Sequence, residues 1–233
     1  VRQQSIYLKQ NLIKYMKIKN FNKEYFDFLF PQRTRLKTEY GLNYDSTQTN
    51  IDNALTNMML KDYDMIKDFL PEKINSVLDI GCGIGLIDIA LYKHYNNSIK
   101  LHLLDKSNRI DENTSIRGFN KNYVFYNSMD ATRETLLNNG ISNNDIFTYE
   151  VDINSELLSN QKYDIIISLL SCGWHYSIET YIELLNNNLE TNGIIILDIR
   201  HNTGQLEYAK EYFDLDFPNP YMLYVGITQK QNL

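Results

Sequence analysis

A short run of strand-forming residues, SVLDI (76–80), passes straight into the turn GCGIG (81–85) and from there into a helical pattern over about 85–95. Strand, glycine turn and helix in that order form the opening unit of an open α/β sheet, because glycines let the chain reverse tightly and let a ligand approach the backbone. The turn's amides and the N-terminus of the following helix face whatever binds there. Downstream, short β-branched or Leu-rich runs alternate with helical segments. Strands are predicted at 76–80, 99–105, 146–152, 163–170 and 193–200, with helices at about 85–95, 128–139 and 177–190. A further helix near 203–212 leads to a last strand at 221–229, and FDLDF (213–217) is left open as its hairpin partner. This alternation predicts a mostly parallel sheet with helices on both faces. The stretch 106–126 is too long for an ordinary connection and is expected to run as an excursion over the active face.

The first 75 residues differ in kind and are read as a helical cap, separate from the ligand-binding domain at 76–233. Residues 5–30 fit one or two helices stopped by Pro31, a polar stretch covers 31–50, and 49–71 has the apolar period of a helix ending at Pro71. Residues 1–40 carry nine basic and three acidic side chains, whereas 76–233 carry eleven basic and twenty acidic ones. The net charge of −6 and a pI near 5.3 argue against a protein that coats a duplex by neutralising phosphates. No run reaches the length of a membrane span, and Lys9, Lys14, Lys17 and Lys19 interrupt any secretion signal. Two cysteines are too few for a disulfide framework, so a reducing cytoplasm is expected. The abundant Asn, with doublets and a triplet at 186–188, is read as coding bias.

The acids narrow the ligand. Asp79 lies two residues before Gly81, Asp105 ends the second predicted strand, and Asp152 ends the third, so three carboxylates rim one pocket. A dinucleotide would bring an anionic pyrophosphate to this turn, and a carboxylate beside it would repel. S-adenosylmethionine carries no phosphate. Its sulfonium and ammonium attract carboxylates, and its ribose diol and adenine amine donate hydrogen bonds to them. A nicotinamide dehydrogenase is further disfavoured by G-x-G-x-G in place of G-x-G-x-x-G.

VLDIGCGIG, the acid of LHLLD, the VD pair at 151–152 and YDIIISLL resemble the successive motifs of class I S-adenosylmethionine-dependent methyltransferases over about residues 76–230. The resemblance implies a Rossmann-like sheet of about seven strands, the last antiparallel. It implies that Asp79, Gly81, Gly83 and Gly85 surround the methionine part of the cofactor, with Cys82 presenting its backbone. It further implies that Asp105, followed by Lys106, holds the ribose hydroxyls, that Asp152 and Ile153 contact adenine, and that Ser168 lies at the cofactor's edge.

The acceptor side is read after the fourth strand, where SCGWHY (171–176) follows IIISLL. Trp174 and Tyr176 are candidate substrate contacts and equally candidate core aromatics, and His175 is a candidate base for a hydroxyl acceptor. After the fifth strand, Arg200 suits a carboxylate or phosphate clamp and equally an ion pair with one of the many acids nearby, and His201 is the rival base. From the cap, Tyr40, Tyr44 and Gln48 are candidates to close over the pocket, although aromatics in a cap are more often packing residues, and Asn127–Ser128 start a helix with Ser128 as N-cap. The Pro-rich tetrad of base amino-methylating enzymes, a Pro-Cys nucleophile and acids at both strand ends for a metal are absent at the matching positions, so no metal is expected. The expected activity is methyl transfer to a small-molecule hydroxyl, such as that of a sugar. The alternatives are an RNA or nucleotide methyltransferase using the basic N-terminal segment, and a cofactor-binding protein without catalysis.

Overall fold

The computed structural model describes residues 16–29, 34–107, 127–151, 161–200, 203–212, 215–216 and 224–226. Three helices precede the sheet: α1 (Lys23–Leu29), α2 (Thr34–Thr38) and α3 (Gln48–Ile66). Then follow β1 (Ser76–Ile80), α4 (Leu86–His94), β2 (Lys100–Asp105), α5 (Met129–Asn138), β3 (Ile146–Glu150), β4 (Tyr163–Ser168), α6 (Ile182–Asn188), β5 (Leu189–Leu197) and α7 (Gln205–Tyr212). Five strands pair in parallel in the order β3-β2-β1-β4-β5. Beyond β5, the backbone of β6 (Leu215–Asp216) and β7 (Tyr224–Gly226) adds antiparallel pairs, β7 lying between β5 and β6.

Period-two alternation sorts the strand residues onto two faces. Val77, Leu101, Leu103, Ile165, Ile167, Ile194 and Ile196 share one apolar core with α3, α4, α5 and the cap residues Phe21, Phe26 and Leu36. Leu78, Ile80, Leu104, Ile166, Ile195 and Leu197 share the other with Leu185 of α6 and Ala209 of α7. Both faces are covered, which is why the central strands read as continuous apolar runs.

The polar stretch expected at 31–50 contains a helix, α2, because Leu36 is buried in the shared core and gives this turn an anchor. The second departure concerns β5, expected from residue 193. It begins at Leu189, opposite Tyr163, and the next pair is Ile165 with Ile194, so β4 advances two residues while β5 advances five. Asn192 takes a positive φ of 67° to absorb the extra residues. The third predicted strand ends at Glu150, and residue 152 lies outside the described residues. Most of the 106–126 excursion and all of 1–15 lie outside them too.

Candidate active site at the carboxyl edge of the sheet

The glycine turn leaves β1 at the carboxyl edge. Gly81, at φ 77°, donates its amide to the Leu104 carbonyl at 2.6 Å, which ties the turn to β2. A side chain there would place its Cβ 2.2 Å from the Cβ of Ser171, so the turn and the segment after β4 touch through a position only glycine can fill. Gly85, also at positive φ, caps α4 without a side-chain bond, leaving the helix N-terminus as a set of backbone donors.

Asp105 closes over the turn from β2. Its Oδ2 accepts the Gly83 amide at 2.8 Å and the Asn127 side-chain amide at 3.0 Å, and its Oδ1 accepts the Lys106 amide at 2.7 Å. Asn127 also donates to the Gly83 carbonyl at 2.8 Å, and the Thr132 hydroxyl donates to that same carbonyl at 2.5 Å. Glycine turn, strand-end acid and the start of α5 thus form one polar cluster. Ser128 caps α5, as expected, with its side chain accepting from the Ala131 amide.

Asp79 and Asp88 lie on the same face beneath the turn, both buried. Burial first, then the Asp88 charge and a bond to Asp88, raise the Asp79 carboxyl well above the usual carboxylate range, and burial pushes Asp88 up to about 7. Two carboxylates offer each other only lone pairs, so the bond between them exists only when one holds a proton. Asp79 Oδ1 and both oxygens of Asp88 have no hydrogen-bond donor among the described residues. The Cys82 thiol is raised by burial and then by Asp105, Asp79 and Asp88, which keeps it protonated and non-nucleophilic.

The segment after β4 opens with Leu170 at φ 65°, a strained conformation for a residue with a branched side chain. The Ser171 carbonyl then accepts the amides of Trp174, His175 and Tyr176, and Gly173 bonds back to Tyr176, which holds Trp174, His175 and Tyr176 half-buried in one tight turn. The Arg200 amide bonds the Gly173 carbonyl at 2.9 Å, so the segment after β5 is stitched to this turn. Arg200 is half-buried. Tyr176 stacks edge-on against Tyr181 and packs on the apolar core.

Ser168, Tyr44, Tyr40 and Gln48 each have contacts within the chain. The buried Ser168 hydroxyl donates to the Ile80 carbonyl at 2.6 Å and accepts the Cys172 amide at 2.8 Å, which makes it a brace between β1 and the turn after β4. Tyr44 is 54% exposed beside Lys23, whose ammonium bonds its carbonyl. Tyr40 packs on the core, and Gln48 ties Phe21 and Asp52 together. Asp152, Ile153 and His201 lie outside the described residues. Asn127, Thr132, Asp88 and Asp198 were not singled out by the motifs. Asp88 and Asp198 do carry a signal in sequence, a lone acid inside an apolar run (LIDIAL and IILDI). Asp198 shares the face of Ile194 and Ile196 toward the cap. There burial and Asp62, itself paired with Arg35 at 3.3 Å, push it up to about 7.

No protein-family profile and no curated protein matches the sequence. Solved structures do. The ribosomal protein L11 methylase of Lactobacillus delbrueckii subsp. bulgaricus is similar with a TM-score of 0.51 and 19% identity, over 82% of this chain and 81% of that one. An O-methyltransferase family protein from Burkholderia thailandensis is similar with a TM-score of 0.52 and 9% identity, over 90% of this chain and 71% of that one. The fold is therefore the α/β fold of class I methyltransferases. Among the described residues no helix is long and apolar enough to cross a membrane, and no three His, Cys, Asp or Glu side chains are grouped to hold a metal ion.

Proposed function

We propose that the chain is an S-adenosylmethionine-dependent methyltransferase acting on a hydroxyl of a small molecule, a sugar or related metabolite being the preferred class. The observation that carries this reading is the set of three buried acids, Asp79, Asp88 and Asp105, gathered under and around the glycine turn. Even with one proton shared between Asp79 and Asp88, a pyrophosphate placed there would meet acceptor oxygens and the remaining negative charge at short range, whereas a cationic, phosphate-free cofactor that donates hydrogen bonds is attracted. Asp79 Oδ1 and Asn127 Oδ1, two of the four buried oxygens at this site without a donor among the described residues, suit a ligand that brings its own N–H and O–H groups. The methyl-bearing folds of the neighbouring structures agree with the reading.

In this reading Asp79 faces the cofactor's amino group, Asp105 its ribose, and Asp152 with Ile153 its adenine, while the turn glycines Gly81, Gly83 and Gly85 lie against its methionine part. The cofactor supplies an electrophilic methyl on a positively charged sulfur. The chain's part is alignment of the acceptor in a site from which water is excluded, the larger share of the acceleration, and removal of the hydroxyl proton. His175 is the proposed base and His201 its rival. Arg200 holds an anionic group of the acceptor and Trp174 packs against it. In this reading the pocket is enclosed, which suits a small acceptor better than a polymer. The site needs no metal, and a cytoplasmic location accords with the two buried free thiols.

The test is incubation of the purified chain with methyl-tritiated S-adenosylmethionine and parallel sets of sugars, phenols, amines and RNA. Label on a hydroxyl-bearing small molecule, lowered about 10²-fold or more by His175→Gln, is the expected result. Label on RNA alone moves the reading to the basic N-terminal arm, and cofactor binding with no label anywhere moves it to a non-catalytic binder.

A further inference from the structure

Asn127 is 2% exposed, and its side-chain nitrogen faces two groups that can only accept, the Gly83 carbonyl and Asp105 Oδ2. That fixes the orientation of its amide, because the flipped form would set oxygen against oxygen at both partners. Its Oδ1 therefore points away from them, and it is shielded from solvent with no donor upon it among the described residues. A buried acceptor left in this state is unfavourable and calls for a reason.

The reason lies in its neighbour. A carboxylate offers about four acceptor positions, and Asp105 already receives three donors from within the chain: the amides of Gly83 and Lys106 and the side chain of Asn127. Two adjacent hydroxyls presented to Asp105 would need two positions where at most one is left. The same side chain that takes up part of Asp105 brings a new acceptor, Oδ1, into the cluster. Thr132 and Gly83 hold it there, since the Asn127 nitrogen lies 3.3 Å from the Thr132 hydroxyl, which itself bonds the Gly83 carbonyl.

We infer that Asn127 Oδ1 is a diol-reading acceptor: one hydroxyl of a vicinal ribose diol donates to it, while Asp105 receives the other. This rests on the proposed cofactor, which is the source of the diol. Residue 127 stands 22 positions beyond Asp105, across the excursion, so one diol is read by two elements that meet only in the folded chain.

The test is calorimetric titration of the wild-type chain and Asn127→Ala with S-adenosylhomocysteine and its 2′-deoxy and 3′-deoxy analogues. In the wild type each missing hydroxyl weakens binding, by roughly 10- to 100-fold for the one that Asn127 reads. In Asn127→Ala that analogue and the parent compound bind within about twofold of each other, while the other analogue keeps its penalty. Equal penalties in both proteins would reduce Asn127 to a brace for Asp105 and overturn the assignment. A wild-type chain that binds none of the three compounds overturns the cofactor reading itself, a separate outcome. Should Asn127→Ala fail to fold, the side-chain carbonyl ¹³C resonance of Asn127 in the wild type decides. It shifts on binding the parent compound and stays in place with the analogue lacking its hydroxyl. An equal shift with all three compounds overturns the assignment.

Discussion

Asp88 stands in the first turn of α4 among Leu86, Ile87, Ile89 and Ala90, all buried, and its bonding partner is another acid. Its folded pKa is raised above the unfolded value, so the stability it contributes is full below about pH 4 and is lost as pH rises through about 7. Asp88→Asn removes this loss and gives Asp79 a donor. The expected outcome is a urea midpoint that declines less between pH 5 and 8 than that of the wild type, with the two chains differing by about 2 kcal/mol at pH 8. Parallel profiles would mean that the two acids do not share a proton. At this scale the sequence made Asp79, Gly81 and Asp105 visible, because their positions follow from a strand, a turn and a strand end. Asp88 was hidden in plain view. A helix pattern marks its position as buried, but nothing local says that the group it meets is a second carboxyl.

The segment 16–22 shows how the cap is fastened as an element. It lies between α3 and α5: the Ile18 amide bonds Thr56, the Asn20 and Phe21 amides bond Asp52, and Asn22 bonds Glu134. Asn139, just past α5, both accepts the Lys19 amide at 2.9 Å and donates to the Lys19 carbonyl at 3.4 Å, as a neighbouring strand would, and Asn138 bonds the Asn20 carbonyl. The Asn doublet read as coding bias is thus a clamp. Its geometry could not be seen in the sequence, because the partners are backbone groups about 120 residues away. Asn139→Ala leaves the Lys19 peptide without partners and is expected to destabilise the chain by about 1–3 kcal/mol. Limited proteolysis of the variant should cut between residues 16 and 22 before any other site. Unchanged cleavage kinetics would mean that α3 alone holds the segment. Most helices and the parallel strands were legible to within a few residues, since each is marked by apolar period and bounded by Gly, Pro or an N-cap. The failures, α2 and the start of β5, fall where a single buried residue or a register jump decides the outcome. Residues 16–22, expected within a helix, are not helical, because the Ile18, Asn20 and Phe21 amides bond the side chains of Thr56 and Asp52 instead of carbonyls one turn back.

Across the whole molecule, the five-stranded parallel sheet brings β1, β2, β4 and β5 to one edge, and every described residue of the candidate site stands at that edge or on the helix starts above it. This is where an open α/β sheet binds its ligands, and the order of the strands, with β1 and β4 at the centre, puts the crevice beside the glycine turn. Topology of this kind was legible from the alternation of strands and helices. The closing of the site was not, because the excursion separates Asp105 from Asn127 by a length that no local pattern spans. The account as a whole stands on one claim, that the edge around Gly83 and Asp105 takes S-adenosylmethionine and not a phosphate-bearing nucleotide. Calorimetric titration of the wild type and Asp105→Ala with S-adenosylhomocysteine, and of the wild type with NADH, tests it directly. The account predicts micromolar binding of S-adenosylhomocysteine to the wild type, a loss of at least about tenfold in Asp105→Ala, and no heat with NADH. Binding of NADH, or equal affinity of both proteins for S-adenosylhomocysteine, would contradict it.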